Sequence, residues 1–510
     1  MDISIGKFTL ESLTTGMYSE PESCYREYIQ NAVDSLDSAI EQSLITADDC
    51  RIEIIVDSQN NTISVKDNGT GIPSSNAVKT LLDIGNSTKL HTTNRGFRGI
   101  GRLGGLSYCK KLSFCTTSRG ENIKTISSFN CDRLKELLVP GENTDKDLKD
   151  VIAAVTEVSV LPEQSSLHYF IVKMEGVDDI SSLLDIDIVR DYIAQIAPLP
   201  FRERFFWGRQ IKDELQSKKI KIAEYPVFLG SSFENLEQIY KPYKLSLNVS
   251  ARSDVTKDEI YGLSFFDVNG ANGDLIASGW YADTGFLGTL ADDRVAGLRV
   301  RQGNIQIGAS KTLAPYFKES RFNGWALGEL YIVTDALIPN ARRDDFEKNE
   351  VFSEFETGIR ATVGQEISDK IRAASKARNN PSQKTITKAE KTIARVQEIL
   401  ATGFNSSFEK EQVTNEIALA KKTIHAIPKD STSEILERKT ELIDTLSTLA
   451  TNVAESSHYK AKKDITSNFS KAEKKIVQAI LEVLSKNFDR PIVDSLYQEM
   501  LVELKAKGKK

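Results

Sequence analysis

The sequence is poor in the residues that stabilise small secreted domains and metal-binding modules. It has only five cysteines, and no two of them form a CxxC pair, so it contains neither a zinc knuckle nor a disulfide framework. All five lie within the first 131 residues, and we expect buried thiols in a reducing compartment. They are Cys24, Cys50, Cys109, Cys115 and Cys131.

Excess charge and long apolar stretches are also missing. The formal net charge of −6 over 510 residues is too mild for a strongly basic nucleic-acid binder, although it leaves room for a local basic patch. No run approaches the ~18 apolar residues that a membrane span requires, and the N-terminus has no basic-then-apolar signal segment. These absences predict a soluble, cytoplasmic protein that does not enter a membrane.

The length predicts about three domains at ~150 residues per domain. Residues 1–200 and 201–365 mix strand and helix patterns, whereas residues 366–510 lose glycine and gain lysine and glutamate. Over residues 380–510, 22 lysines and arginines nearly balance 18 acids, and apolar residues recur in steps of three and four. This pattern predicts short antiparallel helices with solvated outer faces rather than a DNA-binding patch. The apolar positions include Ile386, Ala389, Ile393, Val396, Val413, Ile417, Ala420, Ile424, Leu442, Leu446, Leu449 and Val453.

Three groups of residues stand out in the first domain. The first lies on a predicted helix after Pro21, where Asn31 and Asp34 both fall within about 40° of Glu27 around the helix axis. Three polar residues on one stripe indicate a face turned toward a binding site. A plain solvated helix face would show the same pattern.

The second group is Asp67-Asn68-Gly69-Thr70-Gly71, directly after a predicted strand hairpin. A carboxylate followed by two glycines can accept a hydrogen bond from a ligand's amino group while the bare backbone lets a ring approach closely. The same letters also occur in ordinary hairpin turns.

The third group is a glycine-rich stretch with Gly96, Gly99, Gly101 and Gly104. Consecutive backbone N–H groups can face an anion there, and a helix expected to begin near Leu103 would add the positive end of its dipole. No strand immediately precedes this stretch, and the sequence has no GxxxxGK[ST] motif, so a dinucleotide fold and a P-loop are disfavoured.

Together, the order and spacing of these groups resemble the GHKL superfamily, which includes gyrase-B-type topoisomerases, HtpG-type heat-shock chaperones, sensor histidine kinases, MutL and the MORC proteins. The layout is closest to HtpG-like and MORC- or MutL-like members. None of the four histidines precedes His91, so the phospho-accepting helix that histidine kinases carry before the ATPase domain is missing. The resemblance implies an α+β fold: a Bergerat-type α/β sandwich ATPase domain in residues 1–200, an S5-like α/β transducer domain in residues 201–365, and an all-α, coiled-coil-like region in residues 366–510.

The resemblance also implies a role for each matched residue. Asp67 would bind the adenine amino group, with Gly69 and Gly71 beside the base, and Glu27 would deprotonate the attacking water. Asn31, in the same motif as Asp34, would complete the coordination of a Mg²⁺ ion that bridges the phosphates of ATP. The phosphate-binding residues would be Ser87, Lys89, Gly96, Gly99, Gly101 and Gly104.

The second domain adds a candidate arginine. Asn340-Ala341-Arg342-Arg343-Asp344 is similar to the catalytic loop of the HtpG middle domain, which places Arg343 in the role of the residue that contacts the γ-phosphate. Arg342 is the second candidate for this role. The alternative interpretation is that the segment is a charged surface turn that makes only local ion pairs.

These assignments predict a Mg²⁺-dependent ATPase whose cycle closes a homodimer through the N-terminal domains. The partner would be a protein client or partner subunit rather than DNA, as in chaperones. The alternative is an ATP-binding regulatory subunit of a multi-component bacterial defence system, with little turnover of its own.

Overall fold

The computed structural model describes residues 6–9, 20–83, 101–139, 147–178, 182–250, 255–379, 381–404, 407–429 and 431–457, with the single residues 476, 479, 480 and 496. The chain divides into two compact units, Met1–Ala377 and Arg378–Lys510. None of the described helices is both long and apolar enough to cross a membrane.

The first part of the larger unit is an eight-stranded sheet with helices packed against it. The strand order is β5-β4-β3-β6-β2-β1-β7-β8, and every neighbouring pair is antiparallel except β1 and β7. The strands are β1 (Ile52–Asp57), β2 (Thr62–Asp67), β3 (Lys111–Thr117), β4 (Ile123–Asn130), β5 (Thr156–Pro162), β6 (Tyr169–Glu175), β7 (Val227–Gly230) and β8 (Glu237–Ile239). The helices are α1 (Ser23–Glu41), α2 (Ser74–Leu82), α3 (Cys131–Leu137), α4 (Leu148–Val155) and α5 (Ile186–Ile196).

Helix α1 is amphipathic, and its apolar stripe is buried in the main core of this sheet. Ile29, Ala32, Val33 and Leu36 are all less than 3 % exposed. The helix begins at Ser23, two residues after Pro21, and the Ser23 hydroxyl donates to the Glu20 carbonyl at 2.6 Å.

The second part of the larger unit contains a three-stranded and a five-stranded sheet, in the orders β10-β9-β13 and β11-β12-β16-β14-β15. Helix α6 (Trp207–Ser217) precedes the strands, and α7 (Glu350–Ile359), a π-helical turn at residues 360–364 and α8 (Gln365–Asn379) follow them. The strands are β9 (Ser246–Ser250), β10 (Val255–Glu259), β11 (Gly262–Asn269), β12 (Leu275–Asp283), β13 (Thr289–Leu290), β14 (Gly297–Gln302), β15 (Ile305–Ile307) and β16 (Leu327–Ile332).

A fully buried charged cluster joins this second part to the first. The Lys241 ammonium lies 2.6 Å from one oxygen of Glu329, and the Arg301 guanidinium binds the other oxygen. Arg301 also donates at 2.9 Å to the carbonyl of Gln195, near the end of α5. The five-stranded sheet is thereby tied to a helix of the first sheet's layer.

The smaller unit is a bundle of helices α9 (Pro381–Thr402), α10 (Ser407–His425) and α11 (Ser433–Glu455). Its core contains the apolar positions that the sequence periodicity predicts, together with others such as Phe404 and Ile435. Lys410 at the start of α10 contacts the carbonyl of Ala454 at the end of α11. This contact shows the expected antiparallel packing. The mixed α/β first part and the helical last part therefore confirm the predicted fold class.

Candidate active site

Helix α1 carries the first group of predicted site residues. Glu27 and Asp34 are buried, with 6 % and 3 % of their surface exposed, and Asn31 is half-buried. Because 100° of rotation per residue places all three opposite the apolar stripe, they face away from the hydrophobic core. Because the carboxylates of Glu27 and Asp34 are buried, this face is not the plain solvated helix face that the sequence pattern also allowed.

The Glu27 carboxylate lies directly against the glycine-rich segment. A Cβ atom built on Gly101 would come within 1.9 Å of Glu27 Oε2, so the Gly101 backbone lies against the end of the Glu27 side chain and leaves no room for a side chain of its own. One turn further along, a Cβ on Gly105 would come within 2.4 Å of the Tyr28 hydroxyl. The segment therefore packs on the N-terminal half of α1.

Two arginines approach the same carboxylate from its other side. Glu27 Oε1 lies 4.0 Å from Arg26 Nε and 3.9 Å from Arg343 Nε. All three side chains are at least nine-tenths buried. These distances are longer than a hydrogen bond, so the contacts are electrostatic and of the length that a bridging water molecule spans.

Arg343 reaches this position because its loop is tightly held. The loop turns between Pro339 and Phe346, which form an isolated antiparallel bridge. Arg343 has a φ of 57°, and its carbonyl accepts a hydrogen bond from Gly308 N–H at 2.8 Å. Its neighbour Arg342 points its side chain outward, where it pairs with Asp344 at 3.1 Å.

The backbone of Arg342, by contrast, touches the first helix. Its carbonyl accepts a 2.8 Å hydrogen bond from Arg26 Nη2. The arginine loop and the Glu27 helix thus share both a hydrogen bond and a charge contact. A charged turn that only makes local ion pairs would have neither.

The second group of predicted residues lies at the other end of the α1 face. Asp67 ends β2 and is 4 % exposed, and one of its carboxylate oxygens accepts the Gly69 N–H at 2.9 Å. A Cβ on Gly69 would come within 2.1 Å of Ser35 Oγ. The loop after β2 is therefore pressed against α1 two turns beyond Glu27.

Gly71 is required by the geometry for two reasons. Its φ is +64°, in the left-handed region, and a Cβ there would come within 1.9 Å of the Thr117 carbonyl. The loop is further fixed by the buried Thr116 hydroxyl, which accepts the Ile72 N–H at 2.8 Å. His168 Nδ1 lies 2.7 Å from the Gly69 carbonyl on the same loop.

The two loops contact α1 about two turns apart, and we call the face of the helix between these contacts, residues 27–35, the groove along α1. Gly101 contacts the helix at Glu27 and Gly69 contacts it at Ser35, and a rise of 1.5 Å per residue separates those positions by about 12 Å. This is on the order of the length of an extended nucleoside triphosphate. Asn31 lies halfway between them.

The glycine-rich segment differs from its prediction in one respect. Instead of an α-helix from Leu103, a seven-residue 3-10 helix runs from Gly101 to Ser107, so the expected contribution of a helix dipole is small. Gly101 and Gly104 are both buried in it. The predicted residues Ser87, Lys89, Gly96 and Gly99 lie outside the described residues.

Residues 18–156 match a protein family described as "Histidine kinase-, DNA gyrase B-, and HSP90-like ATPase". The matched range contains the Glu27 helix, the Asp67 loop and the glycine-rich segment. This match confirms the predicted resemblance to the GHKL superfamily for residues 18–156. No curated protein matches the chain.

Several residues around the GHKL site escaped the sequence analysis. Thr116 is one, because its strand β3 was not predicted, although Leu112 and Phe114 alternate with Ser113 and Cys115 in a strand pattern. Another is Arg102, which donates to the carbonyls of Leu81 and Asp83 and holds the glycine-rich segment to the end of α2. Burial lowers the pKa of Arg102 to about 10.

Proposed function

We propose that this chain binds ATP with Mg²⁺ in the groove along α1 and hydrolyses it, with Glu27 as the general base. The observation that carries the proposal is the position of Glu27. It is a buried carboxylate between the Gly101 backbone and the Arg343 guanidinium. A protein that only bound nucleotide would not need a carboxylate there, whereas a positioned general base increases the rate of the chemical step by a factor of roughly 10²–10⁴.

The remaining roles follow from the two ends of the groove. Asp67 binds the adenine amino group, and Gly101 with Gly104 approaches the phosphates through bare backbone. Arg343 contributes positive charge where the γ-phosphate is transferred. Water gives up a proton to Glu27 as its oxygen forms a bond to phosphorus, and ADP leaves with the bridging oxygen.

The residues present suit a magnesium ion held mainly through the phosphates. Asn31 lies between the two ends of the groove, on the helix face shared with Glu27 and Asp34. An amide oxygen is a ligand that Mg²⁺ accepts, and this ion keeps several waters when it binds a nucleotide. When bound, the ion neutralises phosphate charge, while Asn31 would hold it in place.

Turnover of the purified full chain by wild type and Glu27→Gln tests the proposal. We expect the variant to keep its ATP affinity within a few-fold, because the adenine contacts lie two turns away, and to lose roughly 10²–10⁴ in kcat. Glu22→Gln, on the residue just before α1, is the matched control and should resemble wild type. A wild type that binds ATP without turning it over would favour the regulatory-subunit reading instead.

We also propose that the cycle closes a homodimer through the N-terminal domains and acts on a protein partner. Support for a protein rather than DNA comes from the near balance of charge in the C-terminal helices, where Arg395 pairs with Glu416 and Arg438 with Glu390. Sedimentation with and without a non-hydrolysable ATP analogue tests the dimer. Turnover measured with and without duplex DNA tests the partner class.

A further inference from the structure

Gln30 is a fully buried residue of α1 whose side chain is not satisfied by the fold. Its exposure is 0 %, and neither Oε1 nor Nε2 has a hydrogen-bond partner within the described part of the chain. Leaving both halves of a buried amide unpaired is more costly than placing a leucine there. The amide is therefore better explained by a bound group than by packing.

The helix geometry places Gln30 beside the proposed general base. At 100° per residue, Gln30 lies about 60° around the helix from Glu27 and about 40° from both Arg26 and Asp34. All three of these neighbours are buried and charged. Gln30 thus lies at the border between the nucleotide-facing stripe and the apolar stripe, about 60° from Glu27 and about 60° from the buried Val33.

More unpartnered polar atoms lie one turn earlier on the same side of α1. Arg26 Nε and Glu27 Oε1 are also buried and without a hydrogen-bond partner among the described residues, and they are 4.0 Å apart. A small molecule that both donates and accepts hydrogen bonds fits between such groups. Water is the molecule of that size and chemistry that the proposed reaction uses.

We propose that Gln30 is a positioning residue for the water that attacks ATP. This proposal rests on the proposed function and deepens it. Gln30 Oε1 accepts a hydrogen bond from one water hydrogen while Glu27 accepts the other as a proton. The water oxygen then forms its bond to the γ-phosphorus, and the bond from that phosphorus to the bridging oxygen breaks, with its electron pair passing to ADP.

The arginine loop contributes to the surroundings of the proposed water site. Arg26 is fixed by its hydrogen bond to the Arg342 carbonyl, and Arg343 lies 3.9 Å from the same Glu27 oxygen that Arg26 approaches. A water held by Gln30 and Glu27 would therefore be enclosed by groups from both parts of the larger unit. Orientation of this kind affects the chemical step more than nucleotide binding.

Gln30→Leu in the full chain tests the proposal. We expect kcat to fall about 10- to 100-fold, while the Kd values for ATP and ADP change less than about threefold. The thermal midpoint should stay the same or rise, because an unsatisfied amide has been removed. Gln30→Asn keeps an amide on a shorter side chain and should recover part of the lost kcat.

Ser127→Ala is the matched control, because Ser127 in β4 is also fully buried with an unpartnered hydroxyl in the described chain. It should leave both kcat and nucleotide affinity unchanged. A Gln30→Leu protein with wild-type kcat overturns the inference while the proposed function stands. So does a proportional loss of kcat, ATP affinity and thermal midpoint, which would show a structural role. A wild type without turnover overturns the proposed function and this inference with it.

Discussion

Arg343 of the loop after β16 lies 3.9 Å from Glu27 of the first helix, nitrogen Nε to oxygen Oε1. Both side chains are buried, so little solvent screens the contact. The groups proposed to activate water and to neutralise the transferred phosphate therefore belong to one buried cluster, although they come from opposite parts of the larger unit. Because of this proximity, we expect different effects from substituting Arg343 and its neighbour Arg342.

Arg343→Ala should lower kcat by about 10- to 1,000-fold, below the ceiling known for an arginine supplied in cis to phosphate transfer. The Kd for ADP should change by less than about threefold, because ADP lacks the γ-phosphate. Any ATP-dependent closure should weaken too, since a ligand shifts a conformational equilibrium only through contacts that differ between the states. Steady-state turnover and calorimetric ADP binding check these outcomes.

Arg342→Ala is the control within the same loop. Its side chain is 60 % exposed, and the alanine variant keeps the carbonyl that Arg26 binds. We expect turnover within about twofold of wild type. Equal, small effects of both substitutions would show that the loop is only a charged turn.

Gly101→Ala should lower kcat far more than it lowers the stability of the fold. The new Cβ would collide with the flexible end of the Glu27 side chain, so the carboxylate can move aside and the fold should lose only about 1–3 kcal/mol of stability. Because the carboxylate is displaced, kcat should fall about 100-fold. Gly262→Ala, where the nearest atom would be 3.6 Å away, should change neither the thermal midpoint nor turnover. A normal kcat in Gly101→Ala would contradict the close approach.

The sequence predicts the parts of this protein that local periodicity encodes. The helical period brings Glu27, Asn31 and Asp34 to one face, and the steps of three and four identify the buried positions of the C-terminal bundle. Strand alternation also predicts the hairpin of β1 and β2 that ends at Asp67. In these elements, the period of the helix or strand determines on which face each residue lies, and this period can be read from residues a few positions apart.

Long-range pairings are the parts that the sequence does not predict. Strand β7 pairs in parallel with β1, so Val227 lies beside Ile52, in the same sheet as the first domain and beyond the boundary expected near residue 200. The contact between Arg26 and the Arg342 carbonyl spans 316 positions. Gln30 belongs to none of the predicted motifs, and only its burial without a hydrogen-bond partner among the described residues singles it out.

The buried cluster around Glu329 predicts a strong effect on stability. Although burial alone would raise it, the cations of Arg301 and Lys241 hold the pKa of Glu329 at about 2, below its ordinary value of 4.5. Glu329→Gln leaves two buried cations without an anion and should cost about 3–5 kcal/mol of unfolding free energy. Glu237→Gln, which breaks the exposed pair with Arg190, should cost less than about 1 kcal/mol. Urea denaturation of the three proteins measures both values.

The same carboxylate predicts the direction of the acid response. Since its pKa is lower in the folded than in the unfolded chain, its contribution to stability is fully present above pH 4.5 and is lost as the pH falls toward about 2. The urea midpoint of wild type should therefore drop over this range. In Glu329→Gln the drop should be smaller, and an equal drop would mean that other carboxylates dominate.

Nucleotide recognition should depend on the charge of Asp67. Asp67→Asn keeps an oxygen that can accept the Gly69 N–H, so the loop should survive, but the adenine amino group loses its anionic acceptor. Loss of a charge-assisted hydrogen bond of about 1.5–3 kcal/mol corresponds to a roughly 10- to 150-fold weaker Kd for both ATP and ADP.

Asp57→Asn alters the aspartate at the opposite end of the same hairpin, where it caps the Asn60 turn, and should leave both affinities unchanged. Calorimetry with ADP separates binding from turnover, and because Asp67 contacts the base and not the phosphates, its effect should be equal for the two nucleotides. A loss confined to ATP would place Asp67 near the γ-phosphate and reverse the proposed direction of the nucleotide along α1.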